Sequence, residues 1–136
     1  MRKRNAKCDY IPSRDEELRQ VFLNRLGKGN LNVTEIFDSI VSDSRASRFY
    51  ISEERAYRII KRFREEGCLS GHKKLNTKMR MLIEINSRVD SLMAADPSLT
   101  LKEAVFEAVN STAPSFYLTF HSVKSIIYRT LRNRRA

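Results

Sequence analysis

The residues best placed to do chemistry occur twice. ASRFYISEERAYRIIKRF spans residues 46–63, and APSFYLTFHSVKSIIYRT spans residues 113–130. Aligned without gaps, the two stretches are identical at six of eighteen positions. In the first, Arg55, Tyr57, Arg58, Lys61 and Arg62 lie off the apolar helical stripe. In the second, His121, Ser122, Lys124, Ser125, Tyr128, Arg129 and Arg132 do so. Arginine can bond guanine edges or phosphates, and Ser, Lys and Tyr can bond phosphate or base atoms. The chemistry these side chains suit is recognition of a polyanion. The plain structural role of such a face is a solvated helix surface.

Other chemistries find less support. There are two histidines, no Gly-rich phosphate loop and no nucleophile elbow. Asp15, Glu16 and Glu17 cluster, but at a helix start, where carboxylates complement the helix dipole. Cys8, Cys68 and His72 are three possible metal ligands without a paired CxxC spacing. The expectation is a non-enzymatic protein with no cofactor and no metal. Two cysteines in 136 residues fit a reducing compartment. The N-terminal residues are not apolar enough for a secretory signal, and no segment is long enough to span a bilayer. A cytoplasmic protein is expected, nucleoid-associated if bacterial, with no membrane partner.

The net charge of +10 strengthens the polyanion reading. Residues 1–13 hold four basic groups and one acidic one, with Arg2, Lys3 and Arg4 in an N-terminal arm. Residues 68–80 hold four basic groups and no acid. They include Lys73 and Lys74 of CLSGHKKLN, residues 68–76, which reads as a linker. Arg134 and Arg135 lie just before the last residue, Ala136. Such segments suit phosphate contact.

The elements that must position these groups are helices. Ser13 and Glu16 form a capping-box pattern with Pro12 just outside, so a first helix is expected from there, stopped by Gly27 and Gly29. Its apolar face holds Leu18, Val21, Phe22 and Leu26, with Arg25 in the same register. A second helix begins near Asn32 and Glu35 and presents Val33, Ile36, Phe37, Ile40 and Val41. A third, capped by Ser52, buries Ala56, Ile59, Ile60 and Phe63 and stops at Gly67. The pattern then repeats. Leu82, Ile85, Val89, Leu92 and Met93 mark a helix ending before Pro97. Thr100 and Glu103 cap the next, with Leu101, Ala104, Val105, Ala108 and Val109 inward. Thr119 caps the last, with Val123, Ile126, Ile127 and Thr130 in the core register. Phe49 and Phe116 are expected to plug the core, and Tyr50 and Tyr117 to be half-buried. The reading is an all-α fold of two tandem three-helix units, residues 14–67 and 77–136, related by internal duplication.

ISEERAYRIIKRFRE, through Ser52, Ala56, Ile59, Ile60, Lys61 and Arg62, resembles the recognition helix of helix-turn-helix DNA-binding proteins of the homeodomain-like and transposase type. LTFHSVKSIIYRTLR is similar through Thr119, Val123, Ile126, Ile127 and Arg129. The resemblance covers the last two helices of each unit. It implies that each third helix enters the major groove and reads bases with its early residues. The chain departs from the family pattern in the joints before these helices, SDSRASRFYI and NSTAPSFYL, which are long and lack Gly. Glu53 and Glu54 sit where the first unit would approach phosphate, whereas the second has no acid after Glu107. The second is therefore the stronger expected contact. The expected partner is double-stranded DNA, for a regulator or a mobile-element or phage-type factor. Two other readings stay open: an acidic protein partner in a nucleoprotein assembly, and RNA stacked on Tyr50 and Tyr117.

Overall fold

A computed structural model describes the backbone of residues 5–67 and 77–135 and the side chains of residues 10–67 and 77–132. The described chain is all-helical: α1 (Asn5–Lys28), α2 (Val33–Asp43), α3 (Glu53–Glu66), α4 (Thr77–Ala95), α5 (Leu101–Val109) and α6 (Phe120–Arg135).

The sequence signals placed the starts of α2, α3, α5 and α6 and the ends of α3 and α4. Asn32 and Thr100 each make a reciprocal capping box, with Glu35 and Glu103. Ser52 Oγ accepts the Arg55 amide at 3.1 Å, and Thr119 Oγ1 accepts that of Ser122 at 3.1 Å. Gly67 ends α3 with φ 83°, a left-handed conformation that costs glycine nothing.

The start of α1 differs from expectation. The helix begins at Asn5, so Ser13 is inside it and caps nothing, and Pro12 is internal. Proline removes one backbone donor and costs an isolated helix about 3 kcal/mol. Tertiary packing overrides that penalty here: α6 lies along α1, and Asp15, one turn beyond the proline, is pinned by Arg129 of α6. At the other end Gly27 is still helical, and the chain turns only at Gly29, φ 76°. Leu26 and Val33, expected inside, are 42% and 37% exposed.

The larger correction concerns the compact units. They are not residues 14–67 and 77–136. Unit 1 comprises residues 1–46 and 113–136, and unit 2 comprises residues 47–112. Thus α6 packs on α1 and α2, whereas α3 packs on α4 and α5. Each third helix joins the first two helices of the other half of the chain. The joints make this possible. Nine residues separate α2 from α3 and ten separate α5 from α6. A nine-residue segment can reach about 30 Å, so neither third helix must fold back on its predecessor.

In unit 1, Leu18 and Phe22 of α1, Ile36, Phe37 and Ile40 of α2, and Val123, Ile126 and Ile127 of α6 are buried. Phe22 and Phe37 stack with centroids 5.5 Å apart. Where the chain enters and leaves the unit, Ala46 and Ala113 exchange backbone hydrogen bonds of 3.0 and 2.9 Å. In unit 2 the core includes Phe49, Ala56, Ile60, Leu82, Ile85, Val89, Val105 and Val109. Arg88 of α4 ties this unit together. It bonds Glu84, Ser111 and the Thr112 carbonyl, and its guanidinium lies 5.1 Å from the Phe49 ring centre.

Candidate nucleic-acid interface

The cationic face of α6 is built from its buried stripe. Val123, Ile126 and Ile127 are buried, which turns His121, Lys124, Ser125, Tyr128 and Arg132 to solvent. Their spacing of three and four residues sets them along one face. The helix contains no acidic residue. Its first turn is fixed by Thr119, which also donates its hydroxyl to Ser122 Oγ at 3.1 Å. Ser122 is therefore half-buried and committed to the cap rather than displayed.

Arg129 makes a contact that its position in the sequence did not signal. Its guanidinium donates to Asp15 Oδ2 at 2.7 Å, and Asp15 is only 8% exposed. The other oxygen of Asp15 accepts from Arg14 at 2.9 Å. Arg129 thus faces α1, in a cleft shared with Ile11, Pro12 and Arg19. Arg129 stays 46% exposed in its side chain while held by Asp15; the other exposed cations among the described residues of α6 are Lys124 and Arg132.

Tyr128 combines exposure with a fixed base. It is 42% exposed, yet its ring stands perpendicular to that of Phe37, with centroids 5.8 Å apart. Phe120, eight residues earlier on α6, makes the same kind of contact at 5.8 Å. Phe37 is itself 1% exposed. The tyrosine therefore rests on the aromatic core of unit 1.

The α3 face of unit 2 is mixed. Arg58, Lys61 and Arg62 are exposed, but so are Glu54, Glu65 and Glu66. Lys61 lies 3.9 Å from Glu65. Arg55 is half-buried. Tyr57 is half-buried too, and its ring meets the ammonium of Lys102 from α5 at 5.9 Å. Lys102 also lies 5.8 Å from Phe106. The sequence carried no signal for that cluster, because its members come from opposite halves of the chain. Glu53 faces inward, accepting from Asn110 at 3.0 Å and lying 3.8 Å from Arg48. It does more than complement a helix dipole.

Phe49 and Phe116 are buried, and Tyr50 and Tyr117 half-buried, as expected. Tyr50 has Ser47 Oγ 3.3 Å from its hydroxyl and the Arg48 guanidinium 6.0 Å from its ring centre. Tyr117 differs in backbone, with φ 57°. Arg2, Lys3, Arg4, Lys73 and Lys74 lie outside the described residues, as do the side chains of Arg134 and Arg135. Cys68 and His72, and the side chain of Cys8, also lie outside them. Among the described residues no three His, Cys, Asp or Glu side chains group to hold a metal ion, and no helix is long and apolar enough to cross a membrane.

Compared with protein-family models, with curated proteins and with solved structures, the chain matches none.

Proposed function

We propose that this is a non-enzymatic DNA-binding protein whose main duplex contact is the solvent face of α6. The observation that carries the reading is the composition of that face. Lys124 and Arg132 flank Tyr128 and Ser125 on a helix with no acid, in a chain of net charge +10. An exposed α-helix fits the major groove of B-form DNA, and cations on it meet phosphates while Ser and Tyr reach bases or backbone. Arg58, Lys61 and Arg62 of α3 add phosphate contacts of lower strength, because Glu54, Glu65 and Glu66 share their surface. The two three-helix repeats are a duplication in this reading, and the protein serves as a regulator or a mobile-element or phage-type factor.

A second reading has one observation in its favour. Leu26, Leu31 and Val33, around the turn from α1 to α2, are each more than a third exposed. Apolar exposure of this kind suits a protein partner. Fluorescence anisotropy with mixed-sequence duplex DNA, single-stranded DNA and RNA, across a salt series, separates the two. Salt-steep binding that prefers duplex DNA is the expected result. Weak binding to all three near physiological salt overturns the reading and directs attention to the apolar turn.

A further inference from the structure

We infer that Tyr128 reads the C5-methyl group of thymine, so that α6 selects sites containing thymine at the contacted position. The inference rests on the DNA-binding reading above and assigns that surface a specificity. Of the described large apolar or aromatic side chains that are substantially exposed, Tyr128 is the one on the cationic face of α6. It is also the one whose ring is braced by the core, through Phe37 and, beneath it, Phe22. Burying 58% of a tyrosine while presenting the rest beside Lys124, Ser125 and Arg132 gives a rigid apolar surface among hydrogen-bonding groups.

The chemistry that recognises such a surface is narrow. Phosphates and base edges offer polar atoms to Lys124, Ser125 and Arg132. In the major groove the thymine methyl is the apolar group an aromatic side chain can cover. A ring already packed against Phe37 loses less freedom on binding than one free in solvent. RNA lacks this methyl, and its A-form major groove is too deep and narrow for a helix to enter. The braced ring thus accounts for both a base preference and a preference for DNA.

The test uses the 136-residue protein. A preferred duplex is selected from a random pool, then compared with the same duplex carrying deoxyuridine in place of thymidine. The expected loss is about three- to five-fold in affinity for each methyl contacted. Tyr128→Phe keeps the ring and should keep that ratio. Tyr128→Ser, folded by circular dichroism, should bring it close to one. Lys124→Ala should weaken binding to both duplexes equally. Equal affinity of the unaltered protein for the two duplexes overturns the inference whatever the variants do. A ratio that persists in Tyr128→Ser overturns it as well. If Lys124→Ala still weakens binding in those cases, the DNA-binding reading survives without the methyl contact; if no duplex is bound, both fall.

Discussion

Arg129 and Arg132 lie three residues apart on α6 and do different work. Arg129 is 46% exposed in its side chain and pairs with Asp15, which is 11% exposed. Removing it leaves a nearly buried carboxylate with Arg14 as its remaining partner. Arg129→Ala should lower stability by about 1 kcal/mol in urea unfolding, a figure reduced for the solvent on the arginine side. Arg132→Ala should leave stability unchanged and weaken duplex binding; a loss of stability there equal to that of Arg129→Ala would contradict this division. The display of Lys124, Tyr128 and Arg132 was legible from helical period alone. The commitment of Arg129 was not, since Asp15 is 114 residues away in the chain. A titration offers a local check elsewhere. Asp96, after α4, accepts from the Ser98 hydroxyl at 2.6 Å and the Ser98 amide at 3.1 Å. These bonds hold its pKa below the ordinary 3.8. A depressed carboxylate pKa means the turn is favoured above the ordinary value and loses that support as pH falls through the folded one. Ser98→Ala should move the Asp96 titration up toward 3.8, read by NMR of the carboxyl group; an unmoved titration would remove the hydroxyl as the principal cause.

Helices were legible where local signals act alone. The Thr100 box, Ser52 and Gly67 all function at the positions their chemistry dictates, because capping involves residues only three or four apart. Thr100→Ala should destabilise unit 2 by about 1 kcal/mol, measurable by thermal or urea unfolding. No change would mean that packing alone holds the start of α5. The apolar stripe of α6 was equally plain, and Ile127 is fully buried. Ile127→Asp places a charge where no partner waits and should unfold unit 1 at a cost of about 4 kcal/mol. Normal amide protection in α1, α2 and α6 of that variant would show the register to be wrong. Inside α1, Pro12 and the Ser13/Glu16 spacing imitate a helix start. Those cues are weaker than packing against another helix, and the helix that supplies the packing comes from the far end of the sequence.

On the scale of the whole molecule, the sequence repetition suggested units that follow the chain, whereas packing divides it differently. Periodicity reports which face of a helix is buried, but not which helix buries it. Only the length of the joints hinted at the exchange. Unit 2 is continuous, residues 47–112, but unit 1 needs both ends of the chain. A chain ending at Thr112 should therefore keep slow amide exchange in α3, α4 and α5 and lose it in α1 and α2, whose core would lack Val123, Ile126 and Ile127. The same division puts the proposed DNA contact in a unit that is complete only when the C-terminal helix has been made. Two cations on α6 should contribute counterion release if they touch phosphate. The decisive measurement is the slope of log K against log salt for duplex DNA, in the unaltered protein and in Lys124→Ala/Arg132→Ala. The double variant should bind more weakly, with a slope shallower by about two and the fold intact by circular dichroism. An unchanged slope and affinity in the folded double variant would contradict this and remove α6 from the interface.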